Sequence, residues 1–99
     1  MMNLTSQHPT IESKLRSEVL SLLSDLGRAD IADIATQVRS PTKEMRLPEI
    51  NKSLIGIFES LEREGIVRRA PDAEYFINGY REIGYKEEDI KLFTPYEII

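Results

Sequence analysis

The chain has 99 residues and a mass of 11.4 kDa with 40% hydrophobic residues, a size that buries roughly two-thirds of the surface its unfolded chain exposes and so supports one core. It contains no cysteine, which excludes a disulfide framework, a thiolate nucleophile and a cysteine-based zinc site. The net charge of −4 and pI near 5.0 by themselves oppose nucleic-acid binding, but residues 72–99 hold seven acids and three bases, so the whole excess lies there and residues 1–71 are balanced.

No apolar run approaches the ~18 residues of a membrane span, and the first ten residues, MMNLTSQHPT, show neither an apolar stretch nor a cleavage pattern. The expectation is a cytoplasmic protein whose residues 1–9 form a disordered tail. From Thr10 onward, Ile11, Leu15, Val19, Leu22 and Leu26 step by four, four, three and four, which draws one stripe on a helix that Gly27 stops. Asp30 then caps a second helix, on which Ile31, Ile34, Ala35 and Val38 share a face, and the Ser40-Pro41 step ends it. Residues 40–47 read as a linker.

Pro48, tolerated in a first turn, opens a third helix with Ile50, Leu54, Ile57, Phe58 and Leu61 on its apolar face, closed by Gly65. The opposite face carries Glu49, Lys52, Ser53, Gly56, Ser60 and Arg63. A mid-helix glycine costs ~1 kcal/mol relative to alanine, so Gly56 marks either a close approach or a tolerated gap on a solvated face. Leu15, Val19, Leu22, Ile34, Leu54, Phe58 and Leu61 are the predicted core.

After Gly65, the β-formers Ile66-Val67 and Tyr75-Phe76-Ile77 flank Pro71-Asp72, which predicts a hairpin over residues 66–77. Asn78-Gly79 is a second hairpin signal, with Tyr80 to Tyr85 as a third strand, and residues 86–93 read as a short final helix.

No residue pattern supports an enzyme, a cofactor or a metal. His8 is the only histidine and has no partner to orient it. Glu87-Glu88-Asp89 lacks the spaced ligands and turn glycine of a calcium loop, and the glycines of INGY and EIGY lack the spacing of a phosphate-cradling loop.

Three helices followed by a hairpin, with the phrases GRADIADIATQV and LEREGIVRR, resemble the winged-helix (winged helix-turn-helix) family over about residues 11–78. The resemblance implies a mainly α fold with a small β-hairpin. It makes residues 10–79 a three-helix winged-helix domain and 80–99 a C-terminal extension. It also implies a sequence-specific DNA-binding transcriptional regulator, whose third helix (about 48–64) enters the major groove while the wing (about 66–77) reaches the backbone. Carried over by position, the DNA-binding residues are Lys43, Arg46, Asn51, Lys52, Ser53, Arg68 and Arg69, and the partner is double-stranded DNA. For Arg68 and Arg69 the competing reading is a solvated pair bridged to Glu62 or Glu74. The alternative function is a protein-interaction winged helix, an adaptor or a subunit of a larger complex.

A homodimer is expected through the first helix, with Leu20 and Leu23 beside its core stripe. The tail is expected to join it with Tyr85, Ile90, Leu92, Phe93, Tyr96, Ile98 and Ile99, because that much apolar surface has to be covered. The other way to cover it is for the tail to fold back on its own first helix.

Overall fold

The computed structural model describes residues 11–38 and 46–99, with side chains from Ser13 onward. The chain is mainly helical with a small three-stranded antiparallel sheet. In order it runs α1 (Ile11–Leu26), β1 (Arg28–Ala29), α2 (Ile31–Gln37), α3 (Leu47–Arg63), β2 (Val67–Arg69), α4 (Ala73–Glu82), α5 (Glu87–Leu92) and β3 (Tyr96–Ile98). Among the described residues no helix is long and apolar enough to cross a membrane. The tail expected over residues 1–9 lies outside the described residues.

The three leading helices form where the apolar spacing places them, and their ends have visible causes. Asp30 caps α2 through its Oδ1, which accepts from the Asp33 backbone N–H at 2.7 Å. α3 starts with Pro48 in its first turn, where the Glu49 carboxylate accepts from the Arg46 N–H at 3.3 Å and the Arg46 carbonyl accepts from the Glu49 N–H at 3.0 Å. It stops at Gly65, whose φ of 78° lets the Ile66 N–H reach back to the Leu61 carbonyl and the Gly65 N–H to Glu62.

The predicted hairpin is not formed, and this is the main correction. β2 does follow Gly65, but Tyr75, Phe76 and Ile77 lie in α4, as do Asn78 and Gly79. A type I′ turn needs positive φ at both Asn78 and Gly79; neither has it. Ala73 and Ile77, with Tyr80 half-buried beside them, recur at helical spacing and pack on Ile90 of α5 in a small separate cluster. That burial decides in favour of the helix over the local β-propensity of Tyr-Phe-Ile. The strand expected over 80–85 is the end of α4 and its exit, where Gly84 at φ 95° allows the Tyr85 N–H to bond the Tyr80 carbonyl. The domain boundary expected at residue 79 therefore falls inside a helix. The short helix expected over 86–93 is α5.

β2 pairs instead with the last strand. The sheet order is β1-β3-β2, so β3 is central, with Ala29 and Arg69 opposite Tyr96 and Arg28 and Arg68 opposite Glu97. Tyr96 is buried and its ring lies 4.9 Å from that of Phe58, which ties the sheet to α3.

The core contains Leu15, Val19, Ile34, Leu54, Phe58 and Leu61 as predicted. Leu22 is only half-buried; Leu23, expected on an outer face, is completely buried, because α1 packs on α3 and on β1 and β3 together. The tail is likewise covered by its own chain. Ile90 and Tyr96 are buried, Leu92 packs on the main core and the Phe93 ring meets those of Tyr80 and Tyr85, leaving Tyr85, Ile98 and Ile99 exposed. Part of the apolar surface from which a homodimer through α1 and the tail is expected is thus internal, with Leu23, Ile90 and Tyr96 buried and Tyr85, Ile98 and Ile99 exposed.

Candidate nucleic-acid interface

α3 buries Ile50, Leu54, Ile57, Phe58 and Leu61, so the residues that fall between them must face out. Glu49, Lys52, Gly56, Glu59 and Arg63 form that exposed stripe, with Asn51, Ser53 and Ser60 half-buried at its margins. A Cβ added at Gly56 would meet no atom within 4 Å, so no part of the described chain approaches the middle of this face.

By residue type the stripe is neutral, but its acids are engaged. Glu49 accepts from the Arg46 N–H at the positive end of the helix. Glu59 lies 3.4 Å from Lys91 of α5 and Glu62 3.9 Å from Arg69 of β2. Glu64, just past the helix, takes a two-pronged contact from Arg16 of α1 at 2.6 and 3.0 Å and a hydrogen bond from Ser60 at 2.9 Å. The Arg16 and Ser60 hydrogen bonds hold the Glu64 carboxyl below its ordinary range, and the same contact pushes the Arg16 guanidinium up. Arg46, Lys52 and Arg63 have no ion pair among the described residues, so the outward charge of α3 is cationic.

The expected site residues separate into two groups. Arg46, Asn51, Lys52 and Ser53 lie together on the first turns of α3 and the residue that opens it. Lys43 lies outside the described residues. Arg68 and Arg69 stand apart on β2 and are both paired. Arg68 Nε donates to Glu97 Oε2 across the strand pair at 2.9 Å, on the sheet face that also carries Arg28, itself 2.9 Å from Asp72. Arg69, one residue on, points to the other side and lies between Glu62 and Glu74, the two acids named as its competing partners.

Sequence reading puts Arg63 on the outer face of α3 without counting it in the site, and it misses the pairs that hold Glu59 and Glu64. Lys91 and Arg16 lie 32 and 48 positions away from those acids, a separation no local pattern reports. Among the described residues no group of His, Cys, Asp or Glu is arranged to hold a metal ion.

Compared with protein-family models, with curated proteins and with solved structures, the chain matches none of them.

Proposed function

We propose that this chain is a winged-helix DNA-binding regulator that docks α3 on duplex DNA, with Arg46, Lys52 and Arg63 on phosphates and Asn51 and Ser53 toward base edges. The observation that carries the reading is the charge state of α3: each of its carboxylates is engaged within the chain while its cations are open. Phosphate neutralisation dominates affinity for DNA, so a face with open cations and occupied acids is suited to it even in a chain of net charge −4. Three successive helices, with α2 packed on α3 and a strand leaving through Gly65, agree with the family resemblance. The wing does not: a pair of helices, α4 and α5, stands between β2 and β3, and the β2 arginines are held by carboxylates. In this reading the wing arginines organise the sheet, and α3 with its leading residue makes the contact.

Fluorescence anisotropy of a labelled random duplex, titrated with salt, tests it. Binding at low salt should weaken steeply as salt rises, and Lys52→Ala, Arg46→Ala and Arg63→Ala should each flatten the slope of log affinity against log salt by about one unit. Asn51→Ala should alter preference among sequences rather than the slope. A full-length protein that ignores both heparin and duplex at low salt returns the chain to the adaptor reading.

A further inference from the structure

α4 has two apolar sides, and only one is used internally. Ala73 and Ile77 are buried against Ile90, whereas Tyr75 is 78% and Ile83 70% exposed, with Phe76 beside them at 38%. Tyr75, Gly79 and Ile83, the residue that closes α4, are spaced i, i+4 and i+8, so they form one outward line along the helix, and with Phe76, Asn78 and Tyr80 they border an open hollow of about 420 Å³ between the side chains of this one helix. The rings of Tyr75 and Phe76 meet edge-on at 5.5 Å, which fixes one wall of the hollow. At its centre Gly79 has ordinary helical backbone and no atom within 4 Å of where a Cβ would stand. Among the described residues nothing gives an internal reason for a residue that weakens a helix. A glycine between large apolar residues on an open helix face suits the close approach of another backbone.

The charge beside this line selects the occupant. Glu74, Asn78 and Glu82 run along the helix at the same spacing, one residue before Tyr75, Gly79 and Ile83. Glu82 has no ion pair among the described residues, and Glu74 lies 3.7 Å from Arg69 and also feels the charge of Arg81, which is itself held by Glu87. We propose that the Tyr75–Gly79–Ile83 face of α4 is a docking surface for an amphipathic helix of a partner protein that carries lysine or arginine beside its apolar stripe. Apolar anchors would enter between Tyr75 and Ile83 over Gly79, and the basic flank would meet Glu74 and Glu82. A second copy of this chain fits less well, since it would set acids against acids between molecules of net charge −4. The inference stands apart from α3 and does not depend on DNA binding.

The test uses the full chain and two synthetic helical peptides that share one leucine stripe, one flanked by lysines and the other by glutamates. The lysine peptide should shift the backbone amide resonances of Asn78, Gly79 and Glu82 and bind about tenfold or more tightly than the glutamate peptide. Ile83→Asp and Tyr75→Ala, both at exposed positions, should each weaken it by about tenfold or more with the circular dichroism unchanged. Glu82→Lys should shift the preference toward the glutamate peptide. Gly79→Ala should weaken binding while raising thermal stability, a pair of effects that a merely structural glycine cannot produce. Equal affinity for the two peptides, or shifts that leave α4 untouched, would overturn the proposal. So would a concentration-dependent mass that Ile83→Asp abolishes, since a second copy would then be the occupant.

Discussion

Replacing Tyr96 with alanine probes the whole arrangement of the sheet, because this one side chain joins β3 to both flanking strands and to α3. It is 6% exposed, stands opposite Ala29 on one side and Arg69 on the other, and packs on Phe58. Truncating a buried aromatic to alanine costs about 3–5 kcal/mol through lost transfer energy and the cavity left behind. Loss of the ring pair with Phe58 adds about 0.5–1.5 kcal/mol beyond area. The sum, about 3.5–6.5 kcal/mol, is comparable to the whole stability of many domains, about 5–15 kcal/mol. Tyr96→Ala should therefore be largely unfolded or melt at least ~15 °C lower, each kcal/mol being worth about 4–8 °C at this chain length. Urea unfolding followed by circular dichroism at two wavelengths measures it, and Ile99→Ala, at an exposed position just past the same strand, serves as the control, within about ±0.5 kcal/mol. Should Tyr96→Ala cost less than ~1 kcal/mol, β3 does not complete the sheet, and the central position assigned to it is wrong.

Leu54→Ala and Leu61→Ala, both at completely buried positions, should each cost about 2–5 kcal/mol by the same denaturation assay, and a change under ~0.5 kcal/mol would place them outside the core. Asp30→Ala should destabilise by about 1 kcal/mol through loss of the α2 cap, whereas Asp30→Asn should be nearly neutral because asparagine caps as well. Gly56→Ala and Gly79→Ala should each stabilise by about 0.5–1 kcal/mol, since both sit in helix interiors with open space at the Cβ position. Hydrogen bonding to Arg16 and to Arg81 lowers the Glu64 and Glu87 carboxyls below their ordinary 4.5, so the stability they add is present above pH 4.5 and is lost as pH falls through the lowered values. Asp30, raised above 3.8 mainly by burial, works in the opposite sense, with its contribution lost as pH rises through the raised value. In acid titrations of stability, Glu64→Gln should flatten the decline and Asp30→Asn should steepen it.

What could be read from residues alone is whatever a local rule decides. The α3 face follows from five apolar residues at helical spacing, and Asp30 and Gly65 mark boundaries because a cap and a left-handed exit are properties of a few adjacent residues. The start of α4 reads as strand because Tyr75-Phe76-Ile77 favours β locally, while the helical line of Ala73, Ile77 and Tyr80 gains its energy from Ile90, farther along the chain. β3 escaped for a related reason: three residues give no period, and the partners of Tyr96 lie in β1 and β2. The same holds at the candidate site. Exposure of Lys52 was legible from spacing, but occupation of Glu59 and Glu64 by Lys91 and Arg16 depends on how distant elements are brought together.

The segment holding α4 and α5 leaves the sheet and returns to it at a single point. Ala70 follows the last residue of β2, Pro95 precedes the first of β3, and the Ala70 N–H donates to the Pro95 carbonyl at 2.9 Å. Whatever lies between is an excursion from a closed loop, with its own small cluster of Ala73, Ile77 and Ile90. Its α5 end is tied to the rest of the fold, with Leu92 on the main core and Lys91 on Glu59 of α3, whereas the exposed Tyr75 and Ile83 can change without altering the path of the sheet. A connection tenfold shorter would lower the entropic cost of closing β2 on β3 by only about 2 kcal/mol. Exchange of the exposed residues of α4 for others would thus re-address the protein to a new partner while Lys91 of α5 still held Glu59 and the α3 charges stayed in place.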